Sequence, residues 1–490
     1  MTSLLIRGPV AGNPLDVWRG AYVRLPSWLR RLVSRPIGLL PVGLRFGAGY
    51  QAWREQIALH RADLDLRTDH VRSARVKLLR WALNAPYYRE VLQPFIGADG
   101  CISDDLNDAA WLRVPLLTKQ IIRQRLPDLV VASTGTMDMV TTGGTWGKPL
   151  AFYLDRDRSI AEFAFYHDAW ARAGYAEGDA RCVFRGFRIH DIGRKFMEYE
   201  PALRELRCSP FHLTPETMDS YLREVRRRGI RFLHGFPSSL SILAAHVLRT
   251  GQAPFCQIEG IFPISEKSFP HQLQVMKAAF PQATFVNVYG LSEKVALAME
   301  SQAEPQQFEF DPLYGFAELL DDHNRPVTKP GRRGRIVGTG FMSVGMPFIR
   351  YDTGDIATLQ QAPTAENGYV LVVRNIRPTR RQEFLVARTG ALVAMTALNI
   401  HSEIYMHIHD FQLHQDEPGR AVVRVVPAAG ATSRHAEAFV DEIRAKLGGT
   451  IELAVEVVDH IEESPRGKRS FIDQRLGPGV RRGVVREVLD

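Results

Sequence analysis

The sequence predicts an α/β protein with one large domain followed by a small α+β domain, and three observations predict it. A chain of 490 residues exceeds what a single hydrophobic core ordinarily organises. Through the middle of the chain, helical patterns alternate with short apolar runs: a helix over Asp219–Gly229, the run IRFLHG at 230–235, and a strand over Thr284–Tyr289. After about Arg380 the pattern resets to a compact β-α-β unit, with a strand over Arg420–Val426, a helix over Arg434–Leu447 and an alternating run over Ile451–Val458. The expected units are 1–379, helical over about 1–126, and 380–490.

The first sixty residues are rich in arginines and aromatics, among them Trp18, Arg19, Arg24, Trp28, Arg30, Arg31, Arg35 and Arg45. With the apolar positions Leu29, Leu32 and Val33 they suggest short amphipathic helices. Two readings stay open: a patch lying on an anionic membrane face, or helices that pack their aromatics on the domain and leave arginines in water. The pattern from about Ser73 to Leu126 is helical, including Val76–Leu83 and the segment around Leu116–Arg125. Within PLLTKQIIRQ, Thr118 is a natural N-cap, with Ile121 and Ile122 facing inward. The stretch Pro326–Gly334 reads as a surface turn before a strand over Arg335–Thr339.

Composition narrows the function classes. A net charge of +8 suits anionic substrates such as nucleotides, acids or coenzyme A, or an anionic membrane. No helix-turn-helix, zinc-finger or ribonucleoprotein pattern is present, so no nucleic-acid partner is expected. Cys101, Cys182, Cys208 and Cys256 form no CxxC pair, which points away from a zinc knuckle or a disulfide framework and toward a reducing cytoplasm. The early apolar stretch Pro36–Leu44 holds two prolines and is too short to span a bilayer. A cytoplasmic location is expected, with peripheral placement on the inner membrane face as the open variant.

Four motifs carry chemistry. In Thr141-Thr142-Gly143-Gly144-Thr145-Trp146-Gly147-Lys148-Pro149, glycines and hydroxyl residues let a loop wrap a phosphate chain. It is not a Walker A loop, because Pro149 follows the lysine where a Ser or Thr magnesium ligand would stand. Tyr289-Gly290-Leu291-Ser292-Glu293 follows an apolar strand, where a glutamate can hold Mg²⁺ against phosphate oxygens. In Arg350-Tyr351-Asp352-Thr353-Gly354-Asp355, an aspartate after a glycine turn can accept from both ribose hydroxyls. In Pro465-Arg466-Gly467-Lys468, a lysine on a loop can bring positive charge to a developing phosphate. Taken singly, each has a bland reading as a turn, a solvated carboxylate or a solvated lysine.

Their order decides. A Gly/Thr loop, then YGxSE, then RYxTGD, then a terminal GK resembles the adenylate-forming superfamily of acyl-CoA synthetases, peptide-synthetase adenylation domains and luciferases. Within it the chain looks most like phenylacetate–coenzyme A ligase and the CapK family of capsular-polysaccharide biosynthesis. That likeness rests on PLLTKQIIRQ, GFPSSLSILA at 235–244, GMPFIRYDTGD and TRRQEFLVARTGALVAMTALNIH. The resemblance implies a large multi-layer adenylate-forming N-terminal domain and a small mobile C-terminal one. It implies ATP phosphates held by the loop Thr142–Lys148, Tyr289 near the adenine, Ser292 on the α-phosphate and Glu293 on Mg²⁺. Asp355 would take the ribose hydroxyls, Arg380 would be a second ribose or phosphate contact, and Lys468 the catalytic lysine. The implied reaction activates a carboxylic acid with ATP to an acyl-adenylate, then transfers the acyl group to coenzyme A or an amine.

Departures from the pattern stand at Trp146, where a small residue is usual, and at Thr379, where a glycine usually precedes the arginine. The cysteine-containing stretch of many relatives before the hinge is missing, so no metal is expected there. The alternative is a non-catalytic protein that keeps this fold as a binding or assembly component of surface-polysaccharide biosynthesis. His407, His409 and His414 read as scattered polar positions, and Arg185, His190 and Asp191 as candidate acyl-pocket residues.

Overall fold

A computed structural model describes residues 27–40, 42–141, 150–156, 158–187, 189, 196–378, 383–398, 403–462 and 471–477. A six-stranded sheet runs in the order Met197–Glu200, Glu205–Cys208, Arg181–Phe184, Phe232–Gly235, Gly260–Pro263 and Thr284–Phe285. The first pair is antiparallel and the rest are parallel. Every residue of its three central strands is buried, as expected for a parallel sheet covered on both faces. The helices Pro215–Arg227, Pro237–Arg249 and Pro270–Ala279 each open on a proline, whose missing N–H costs nothing in the first turn.

A seven-stranded antiparallel sheet follows, in the order Gly315–Leu320, Arg333–Gly340, Tyr351–Gln361, Val372–Pro378, Gln307–Phe310, Leu297–Glu300 and Val288–Gly290. The helices Val42–Ala62, Leu64–Ala82 and Arg158–Trp170 share its core. The strand expected over Thr284–Tyr289 is in fact two. Thr284–Phe285 pairs with Gly260–Ile261 in the parallel sheet, whereas Val288–Gly290 pairs with Leu297–Met299 in the antiparallel one. At the crossover Val286 N–H still bonds Ile261 O, at 2.9 Å, while Asn287 O accepts from Glu300 N–H at 3.0 Å. The segment therefore hands the chain from one sheet to the other.

Other local expectations compare closely. Thr118 Oγ1 accepts from Ile121 N–H at 3.3 Å, capping the helix Lys119–Arg125, and Ile122 is fully buried. The helix expected over Asp219–Gly229 begins earlier, because Thr214 and Thr217 form a reciprocal cap. Gly229 lies beyond the helix at φ +61°, ending it in the left-handed region.

The C-terminal part forms a four-stranded sheet in the order Glu452–Val457, Arg420–Pro427, Ile408–Glu417 and Ile472–Gln474, with the helix Ser433–Leu447 packed against it. The strand Ile408–Glu417 was not expected; its histidines obscured an alternation that buries Phe411 and Leu413. Phe211 and Phe236 from the larger part share this core. His212 Nε2 lies 3.1 Å from Gly448 O and Nδ1 lies 2.7 Å from Ser209 Oγ. Only the tautomer with the proton on Nε2 satisfies the carbonyl, so Ser209 donates to Nδ1. Among the described residues no helix is long and apolar enough to cross a membrane.

Candidate active site

The RYDTGD segment is fixed by its first residue. Arg350 has φ +48° and is buried. Its Nη2 and Nε reach Glu318 Oε1 and Oε2, both at 3.1 Å, and Nη1 donates to the carbonyls of Leu112 and Val114 at 2.6 and 2.7 Å. Trp111 Nε1 donates to the same Glu318 carboxylate at 3.1 Å. A buried ion pair is tolerable when its remaining lone pairs and protons are this fully used. Next to it Leu117 N–H bonds Arg350 O at 3.1 Å and Asp352 N–H bonds Leu117 O at 2.9 Å. The PLLTKQ and RYDTGD segments, distant in sequence, are thus one ladder.

Two crossed hydrogen bonds join RYDTGD to YGLSE. Tyr351 Oη donates to Glu293 Oε1 at 2.6 Å, and Tyr289 Oη donates to Asp355 Oδ2 at 2.8 Å. Each motif's tyrosine therefore holds the other motif's carboxylate. Burial, reinforced by these carboxylates, raises both phenols well above their ordinary range. Burial pushes the Asp355 carboxyl up to about 6, against the Tyr289 hydroxyl and the nearby Lys119 ammonium. Lys119 Nζ itself donates to Thr353 O at 2.9 Å.

Glu293 is buried in a turn closed by the Lys294 N–H bond to Leu291 O, at 3.1 Å, with Lys294 at φ +58°. The Lys294 ammonium pairs with Glu162. Ser292 is half-buried beside Glu293, and Gly290 is exposed. With Oε1 engaged by Tyr351, the Glu293 carboxylate keeps a hard oxygen donor for a ligand, which fits Mg²⁺. No described cluster of three or more His, Cys, Asp or Glu is placed to hold a metal by itself.

Thr141 is buried at the end of the strand Met137–Thr141, opposite Ala151 of Ala151–Asp155. The Gly/Thr motif is therefore the connection of this hairpin. Asp155 Oδ2 accepts from Val344 and Gly345 N–H at 2.7 and 3.0 Å, docking the hairpin on the segment leading to Arg350. Thr142, Gly143, Gly144, Thr145, Trp146, Gly147 and Lys148 lie outside the described residues, as do His190, Asp191, Arg380 and Lys468. Of the three histidines judged scattered, His414 is held between Asp473 and Asp416, both at 2.8 Å, and His407 stacks on His435.

The parallel strands end at residues that motif reading passed over. Glu266, beyond Gly260–Pro263, accepts from Ser238 N–H at 3.2 Å through Oε2, while Oε1 is buried without a partner among the described residues. Burial pushes this carboxyl up to about 7. In Phe232–Gly235, His234 is buried with neither ring nitrogen bonded to a described residue, and Trp170 meets it edge-on at 5.0 Å. Burial, with Arg181 and Arg185 nearby, keeps it neutral. The Tyr166 hydroxyl comes within 3.3 Å of where a Cβ on Gly290 would sit, linking this aromatic wall to YGLSE. The usable signal was position: these residues stand at carboxyl ends of parallel strands, where open α/β sheets take ligands.

Residues 385–475 match the CapK C-terminal domain family. The chain is similar to Protein CapK of Staphylococcus aureus, with 23% identity over 400 residues, spanning 79% of this chain and 84% of that protein. Among solved structures it is similar to 2-hydroxyisobutyryl-CoA ligase in complex with 2-HIB-AMP and CoA in the thioesterification state. That match has a TM-score of 0.49 and 17% identity, covering 87% of this chain and 91% of that one. An open conformation of the same ligase matches with a TM-score of 0.47, covering 81% and 90%.

Proposed function

We propose that the protein is an ATP-dependent, AMP-forming carboxylate ligase. The observation that carries the reading is the crossed pair of tyrosine–carboxylate bonds, Tyr351 to Glu293 and Tyr289 to Asp355. It brings together, on the seven-stranded antiparallel sheet, one carboxylate fit for a hard cation and one fit for vicinal hydroxyls. The similarity to CapK supports a role in surface-polysaccharide biosynthesis.

A carboxylate is a poor electrophile because it is anionic and its oxygen leaves badly. Attack of the substrate carboxylate on the ATP α-phosphorus, with pyrophosphate leaving, gives an acyl-adenylate whose AMP is a good leaving group. Thr141, Thr142, Gly143, Gly144, Thr145, Gly147 and Lys148 would cradle the phosphates, with Ser292 on the α-phosphate. Tyr289 would lie near the adenine with Gly290 beside it, and Asp355 and Arg380 would hold the ribose. Glu293 would hold Mg²⁺, which when bound would offset the repulsion between the two anions. Lys468 would add positive charge to the same transition state, and the acid would lie toward Tyr166, His234 and Arg185.

Acyl transfer to coenzyme A, or to an amine, then releases AMP. We place the domain boundary at 379/380 and propose that the C-terminal unit rotates between the two half-reactions. The deciding experiment is carboxylate-dependent exchange of labelled pyrophosphate into ATP over a panel of aryl, fatty, amino and sugar acids. Exchange with any acid establishes adenylation. Its absence throughout, with no ATP binding by calorimetry, leaves the non-catalytic reading instead.

A further inference from the structure

We propose that the N-terminal helix Ser27–Leu39 is a docking surface for an anionic lipid membrane, presented with its apolar face outward. The helix is oriented opposite to what its composition would give in a globular core. At 100° per residue, the positions of Leu29, Leu32, Val33, Pro36, Ile37 and Leu39 fall on one half of its circumference. Ser34 and Gly38 fall on the other half.

The half that carries Ser34 and Gly38 is the one seated on the protein. Ser34 is fully buried, and a Cβ at Gly38 would lie 2.5 Å from Pro201 O, so only glycine lets the helix come this close. Arg204 Nη2 donates to Gly38 O at 3.4 Å, adding a polar tie at the same place. The leucines point the other way: Leu32 is 61% exposed and Leu39 83%, and Val33 and Leu40 remain open beside them. Burying even part of that surface is favourable by the hydrophobic effect, so a folded protein leaves such a row outward when something else covers it.

Charge identifies the cover. The helix contains no acidic residue, and positions 30 and 35, both arginine, border the apolar half on its two sides. Over residues 1–35 there are six arginines and one aspartate. An apolar stripe edged by arginines is complementary to a surface of acyl chains beneath anionic headgroups. A second copy of this chain would bring a second set of arginines against the first. The helix lies on the bilayer and does not cross it.

The test is sedimentation of the full chain with vesicles of phosphatidylcholine alone, or containing about one third phosphatidylglycerol. The expected result is at least about tenfold stronger partition onto the anionic vesicles, weakened by salt. Leu32→Ser with Leu39→Ser should lower it by about tenfold. Both leucines are exposed, so the melting temperature should stay put. Equal partition onto both vesicle types, or wild-type binding by the serine variant, overturns the proposal. A concentration-dependent dimer dissolved by those serines overturns it in favour of a second copy. A fluorophore on Leu39→Cys, with Cys101 and Cys256 changed to Ser, should respond to the vesicles. A label already shielded in the free protein overturns it in favour of cover by the chain itself.

Discussion

The Tyr289 hydroxyl donates to Asp355 Oδ2 at 2.8 Å, yet burial holds that carboxyl at about 6, above the 3.8 of a solvated aspartate. The folded chain therefore binds more protons than the unfolded one between those values. Stability from this group is fully present below about 4 and is lost as pH rises through about 6. In Asp355→Asn that loss disappears. Melting curves of the two proteins should converge or cross as pH rises from 4 to 6.5 and then run parallel; parallel curves throughout would contradict the assignment. Under the proposed function, AMP affinity of the wild type should rise over the same interval, because only the ionised carboxylate accepts from both ribose hydroxyls.

Tyr351→Phe removes the 2.6 Å donor from Glu293 and changes little else in shape. A group that orients a metal-binding carboxylate is commonly worth 10–100-fold in metal affinity or activity, so a shift of about that size is expected in the Mg²⁺ dependence of pyrophosphate exchange. The stability cost should be about 1–3 kcal/mol, because a buried carboxylate loses its donor. A large loss of stability with unchanged Mg²⁺ dependence would show the bond to be structural.

Arg350→Ala strips the buried Glu318 carboxylate of two donors. Leaving a buried charge without its counter-ion typically costs about 3–5 kcal/mol, and a loss of that order is expected in urea unfolding. Replacing Arg350 and Glu318 together, with Met and Leu, should recover part of it, which tests whether the ion pair or the packing is responsible.

A Cβ at Gly186 would lie 2.4 Å from Ala397 O. Gly186→Ala should therefore push the segment around Ala397 away from the larger part. Faster hydrogen exchange at 384–398 and at Gly448 is the expected readout; protection equal to wild type would mean the two parts already separate in solution.

Lys468→Ala should lower adenylation by about 10²–10³-fold, the scale for removing a transition-state charge contact. Transfer from a supplied acyl-adenylate should survive better. Equal losses in both steps would argue against the rotation proposed for the C-terminal unit.

Much of the fold was legible because local chemistry determined it. Thr118 and the helix Ser433–Leu447 could be read from capping and periodicity alone. Thr284–Tyr289 could not: a run of β-formers looks the same whether it stays in one sheet or changes sheet after two residues. The motifs YGLSE and RYDTGD were recognisable, but not that each tyrosine serves the other's carboxylate, because such pairing is a long-range fact. Glu266 and His234 belong to none of the four motifs; their place at the carboxyl ends of parallel strands was the usable signal, and burial then singles them out. The N-terminal helix was visible as amphipathic, but which face it shows could be learned only from Gly38 against Pro201.

The ladder between Leu117 and Tyr351 has a consequence for synthesis. The two residues are far apart in sequence, and Lys119 waits for Thr353, 234 residues later, for the bond its ammonium donates. Chain closure over that distance comes late in folding. A nascent chain that has emerged as far as YGLSE still lacks the tyrosine for Glu293 and the carboxylate for Tyr289. Under the proposed function, fragments released early by the ribosome would be inert toward ATP, and nucleotide chemistry would begin only when nearly the whole large unit has left the exit tunnel.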